Sequence, residues 1–139
     1  MPVRTVPGRI VPCLLALATT IGAADAATCR PRDLTGIWVG HATVQKDLYC
    51  LIEVRKDGTI PQSSCFNPKS LKSAATLDGS LSLGRDCKVQ GAFTFKSTDP
   101  AITTPATFKG KLKTETGIMS GNFVIFGEGE AYRFIRQLD

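Results

Sequence analysis

Three segments in the second half of the chain alternate strictly between apolar and polar residues. In Cys87–Lys96 the odd positions are Cys87, Val89, Gly91, Phe93 and Phe95, and the even ones are Lys88, Gln90, Ala92, Thr94 and Lys96. In Ala106–Lys113, Ala106, Phe108, Gly110 and Leu112 alternate with Thr107, Lys109, Lys111 and Lys113. In Ile118–Phe126, Met119, Gly121, Phe123 and Ile125 share one face. A period of two turns one face of a strand into a core and leaves the other in water.

Five further segments read as strands: Gly36–Val44, Leu48–Arg55, Thr59–Phe66, Leu71–Leu83 and Gly129–Leu138. Leu71–Leu83 contains Asp78-Gly79, which fits one bulged strand or a tight hairpin. The last segment carries Tyr132, Phe134 and Leu138 on one side and Arg133 and Gln137 on the other. Lys56-Asp57-Gly58 and Gly84-Arg85-Asp86 are turn signals, and Ser97–Pro105 reads as the one long connection. No stretch keeps helical periodicity for more than two turns. Eight short strands at roughly ten-residue spacing fit an all-β up-and-down barrel or a sandwich; a meander of antiparallel hairpins favours the barrel, whose closure also removes exposed sheet edges. Glycines recur on the inward face at Gly36, Gly40, Gly91, Gly110 and Gly121. They are expected to let strands bend for closure; the alternative is that they leave room for a ligand.

The first residues have a different character. Arg4 and Arg9 precede an apolar run from Ile10 to Ile21, followed by Gly22-Ala23-Ala24-Asp25-Ala26. This is the anatomy of a secretory signal peptide, and cleavage is expected after Ala26. The run falls short of the roughly 20 residues that a transmembrane helix needs. Cleavage leaves residues 27–139 as the barrel domain, with no second apolar stretch able to span a membrane. It removes two arginines and one aspartate, taking the net charge of +5 to +4. It also removes Cys13, so five cysteines become four: Cys29, Cys50, Cys65 and Cys87.

Four cysteines in an exported chain predict two disulfides in a periplasmic or secreted protein. Cys50 and Cys65 fall opposite each other across the Lys56-Asp57-Gly58 turn. The pairing expected is therefore Cys50–Cys65 with Cys29–Cys87, one of three arrangements. No C-x-x-C occurs and His41 is the only histidine, so neither metal nor cofactor is expected.

Chemistry-bearing residues are sparse. His41 alternates out of phase with Trp38 and is expected at the surface, with no flanking nucleophile or orienting carboxylate. Glu128 and Glu130 flank Gly129 as a solvated turn, too few carboxylates for a calcium site. Lys88, Lys96, Lys109, Lys111 and Lys113 fall on the outer faces of two consecutive strands. If those strands pair, the lysines form a basic patch able to meet a protein or an anionic envelope component. Nucleic acid is not an expected partner, since few aromatics share that face for base stacking.

Leu34-Thr35-Gly36-Ile37-Trp38 opens the first strand with G-x-W, and a basic residue, Arg133 or Arg136, lies in the last. In this the chain resembles the calycin superfamily of lipocalins, fatty-acid binders, avidins and small bacterial protease inhibitors. The resemblance implies that Trp38 closes one end of the barrel and that an arginine, taken as Arg133, packs across it. In size the chain is similar to exported bacterial metalloprotease inhibitors, which also open the next strand with a cysteine, as Cys50 does. Their inhibitory element is a flexible N-terminal arm, here Ala27–Asp33.

The expected function is that of a non-catalytic binding protein, not an enzyme. It would be an inhibitor of a secreted hydrolase or an envelope-surface binder. The alternative is a carrier of a small apolar ligand held inside the barrel among Trp38, Phe93, Phe95, Phe108, Phe123 and Phe134, with Arg133.

Overall fold

The computed structural model describes residues 28–43, 48–98 and 100–138, together with Gly8. The rest of the expected signal peptide, residues 1–26, lies outside the described residues. Eight antiparallel strands follow in chain order: β1 (Gly36–Ala42), β2 (Tyr49–Val54), β3 (Thr59–Phe66), β4 (Ser73–Leu83), β5 (Lys88–Thr98), β6 (Ala101–Lys113), β7 (Ile118–Ile125) and β8 (Glu128–Arg136). Each pairs with the next, and β8 pairs with β1, closing an up-and-down barrel. Among the described residues no helix is long and apolar enough to cross a membrane.

Of the two readings of Leu71–Leu83 the structure takes the bulged strand: from Ser73 on it is a single strand that runs through Asp78-Gly79, with register shifts against β3. One segment differs from the reading of the sequence. The expected long connection Ser97–Pro105 is mostly strand, because β5 and β6 stay paired out to Thr98 opposite Ala101. Pro105 is tolerated there because β6 pairs with β7 only from Ala106 onward. The amide hydrogen that proline lacks is not needed on that side.

The inward residues make one core that runs the length of the barrel, from Leu34 and Trp38 at one end to Phe123 and Tyr132 toward the other. Inside it the rings pack on one another. Phe93 lies 5.3 Å from Phe123, and Phe108 meets Phe134 edge-on at 5.5 Å. Glycine makes this filling possible. Gly40 faces Phe134 across the β1–β8 ladder, and a Cβ at Gly40 would overlap the phenyl ring. Gly110 faces Gly121 across β6–β7, where a Cβ on Gly121 would collide with the β6 backbone. At these positions the inward glycines therefore make room for the protein's own rings and close strand contacts.

Two disulfides, Cys29–Cys87 and Cys50–Cys65, complete the fold in the expected pairing. Cys50 and Cys65 are direct partners on β2 and β3. Cys29 ties the segment before β1 to the β4–β5 turn, where its N–H also donates to the Arg85 carbonyl at 3.2 Å. Such bonds belong to oxidising compartments and fit an extracellular or periplasmic protein.

Candidate functional sites

One end of the barrel is plugged. A 3₁₀ turn at Pro31–Leu34 is held by the Arg30 N–H donating to Asp33 Oδ2 at 2.7 Å. It places Leu34 over the core, and the indole N–H of Trp38 donates to the Leu34 carbonyl at 2.8 Å. The guanidinium carbon of Arg136 lies 4.8 Å from the centroid of the Trp38 ring. The arginine over the tryptophan is therefore Arg136, not Arg133. Side chains of one parity on β8 point inward, and Arg136 shares the parity of Tyr132 and Phe134; Arg133 has the other and is exposed. The segment Thr28–Leu34 is pinned by Cys29 at one side and by the plug at the other. The flexible arm of the inhibitor analogy is not found in these residues.

Among the described residues the opposite end is open. A cavity of about 570 Å³ lies in its mouth, lined by Leu48, Phe95, Phe123, Ile125 and Tyr132, with Phe126, Glu128 and Glu130 also in its wall. Glu130 lies opposite Phe123 and Glu128 opposite Ile125 in the β7–β8 ladder. Burial, and to a lesser degree the Glu130 carboxylate, push the Tyr132 phenol up to about 12. Of the six aromatics expected to surround a ligand, only Phe95 and Phe123 reach this cavity. Trp38, Phe93, Phe108 and Phe134 are packed into the core instead.

The lysines are brought together in part. On the outer face Lys88 lies directly opposite Lys111, Lys111 opposite Ser120, and Ser120 opposite Arg133. Lys109 and Lys113 flank Lys111 on β6, and all five cations are exposed. Lys96 does not belong to this cluster: it lies eight residues along β5 from Lys88, roughly 25 Å away, and pairs with Asp78 at 3.6 Å. Arg133, expected inside the barrel, joins the outer cluster. Among the described residues the cluster has a single ion pair, Lys88–Asp86 at 2.9 Å.

His41 is half-buried in an outward row, its ring stacked on Tyr49 at 5.7 Å and Tyr49 on Phe66 at 6.3 Å. Ring faces in this row are turned to one another. Among the described residues no three His, Cys, Asp or Glu side chains converge as a metal site would need.

Reading the sequence missed Arg136, Tyr132 and Glu130 as site residues. The same period-two parity that places Phe134 inside could have found the first two.

Compared with family models, curated proteins and solved structures, the chain gives no match.

Proposed function

We propose that this is an exported, non-catalytic binding protein of calycin-like architecture. It engages polyanionic envelope material through the outer face of β5–β8. The observation that carries this is the register Lys88–Lys111–Ser120–Arg133, with Lys109 and Lys113 beside it. Like charges directly opposite each other on a sheet cost about 0.2–1 kcal/mol. An anion lying across the row removes that repulsion, and the Ser120 hydroxyl between two cations can donate to it. Five cations set side by side on β5, β6 and β8 suit a linear polyanion.

Immobilised heparin tests the proposal as a linear sulfated probe. The protein should be retained at low salt and released as ionic strength rises past about 0.1 M. The double variant Lys111→Gln/Arg133→Gln should bind at least tenfold more weakly. Lys69→Gln/Lys72→Gln, which removes the same charge from the exposed β3–β4 loop, should bind as the parent does. Equal loss in both variants would reduce the effect to net charge and sink the proposal.

A second function, carriage of a small ligand, is supported by the open-end cavity. Its volume suits a small molecule. Its wall suits an apolar body with a cationic or hydrogen-bond-donating end set against Glu128 and Glu130. N-phenylnaphthylamine fluorescence should rise on binding there, and Ile125→Trp, which fills the mouth, should abolish the rise. An unchanged signal in that variant would place the dye elsewhere.

A further inference from the structure

The outer face of the barrel does not keep one character. On β6 its positions from 107 to 113 are Thr107, Lys109, Lys111 and Lys113, polar as a solvated face should be. On β8, β1 and β2 the same face turns apolar. Ile135 lies opposite Val39 and Val39 opposite Leu51, so three aliphatic side chains form one row across three strands. Ile37 follows Val39 on the same face of β1. Ile135 is 40% exposed, Ile37 43% and Leu51 45%. These side chains point away from the core, and a contiguous exposed apolar patch marks an interaction surface.

Two charges decide what suits the patch. Its outward positions make a grid of three strands by three rows. Arg133, His41 and Tyr49 form the row toward the open end. Gln137, Ile37 and Glu53 form the row toward the closed end, where the Gln137 N–H donates to the Ile37 carbonyl at 2.9 Å. Arg133 and Glu53 therefore occupy diagonal corners, roughly 16 Å apart by strand spacing and rise. Both are exposed, and among the described residues neither has an ion pair. A patch with an apolar centre and opposite charges at opposite corners is complementary to itself. A second copy turned about a two-fold axis through Val39 sets its Glu53 against Arg133, its Arg133 against Glu53 and its Ile37 against Ile135. An anionic bilayer would gain from Arg133 and lose at Glu53.

We propose that this face joins two copies of the chain in a symmetric dimer, apolar row against apolar row, with an Arg133–Glu53 ion pair at each of two corners. Lys88, Lys109 and Lys111 lie on β5 and β6, outside the patch. The anion-binding reading and the dimer therefore stand or fall separately.

Sedimentation equilibrium of the disulfide-bonded protein tests it. The contact is at the small end of specific interfaces, so reversible dimerisation in the micromolar range is expected. Leu51→Gln/Ile135→Gln, which leaves every charge in place, should weaken dimerisation at least about tenfold. Glu53→Arg sets cation against cation at both corners, and Arg133→Glu sets acid against acid. Each should weaken the dimer about tenfold. The two exchanges together restore opposite charges with no change of net charge, and should bring the dimer back to within about threefold of the parent. Lys109→Gln on β6 should dimerise as the parent does. A parent that stays monomeric at about 500 μM, well above the range of a weak specific interface, would overturn the proposal. So would Leu51→Gln/Ile135→Gln dimerising like the parent, or a double exchange no better than either single one. All the substituted side chains point away from the core, so near-ultraviolet circular dichroism should show the parent fold in each variant.

Discussion

Arg136 and Trp38 are direct cross-strand partners on β8 and β1, and the guanidinium lies 4.8 Å from the indole centroid. Trp38 is fully enclosed, so the cation covers one face of a desolvated ring. A contact of that kind is worth about 0.5–2 kcal/mol, and the aliphatic stem of the arginine adds packing. Arg136→Ala should lower unfolding free energy by about 1–3 kcal/mol in urea denaturation. Arg133→Ala should stay within about 0.5 kcal/mol, since its side chain stands in solvent on the outer face. Equal losses would mean that the two arginines are misassigned.

The same pair shows how far the sequence could be read. Period-two alternation located the strands and put Phe93, Phe108, Phe123 and Phe134 inside, because a barrel strand must choose one face. Counted from Phe134, it also puts Arg136 inside and Arg133 outside, so this correction was within reach. The extension of β5 and β6 past Thr98 was not. Pro105 reads as a break unless one knows which side of β6 lacks a partner, and that is a property of the closed sheet. The open-end cavity was equally hidden. It depends on which rings fill the barrel, and alternation does not carry that fact.

The two disulfides should contribute unequally. Cys29–Cys87 closes a loop with a sequence separation of 58, and Cys50–Cys65 one of 15. Loop-closure entropy gives about 4 and about 3 kcal/mol respectively. Cys50 and Cys65 are already neighbours in the β2–β3 ladder, whereas Cys29 anchors the segment that carries the plug. Cys29→Ala/Cys87→Ala should therefore lower the denaturation midpoint more than Cys50→Ala/Cys65→Ala. The reverse order would show that the short bridge stabilises more than its loop length accounts for.

Gly40 sits where the Phe134 ring lies flat against the β1 backbone, with no space for a methyl group. Gly40→Ala should cost about 1–3 kcal/mol through forced displacement of that ring. The cost should depend on Phe134 itself. In a double-mutant cycle with Phe134→Leu, the two losses should sum to more than the loss in the double variant. Strict additivity would mean that the methyl group meets something other than the phenyl ring.

Tyr132 gives the barrel a sensitivity to alkali. Its side chain is 6% exposed, and burial holds its phenol up at about 12 against an ordinary value of 10, with the Glu130 carboxylate adding to the shift. Below pH 10 the phenol is neutral in both folded and unfolded chains, and its contribution to stability is fully present. Between pH 10 and 12 the unfolded chain ionises while the folded one resists, so stability falls as pH rises through this window. The loss should be on the order of 2 kcal/mol by pH 12. Urea denaturation across pH 8–12 checks it against Tyr132→Phe, which has no proton to lose. The gap between parent and variant should stay constant up to about pH 9 and then change by that amount in the variant's favour. Glu130→Gln should narrow the window by lifting the charge that faces the phenolate. Parallel curves for parent and Tyr132→Phe across the whole range would mean that the phenol ionises as easily in the barrel as in the unfolded chain.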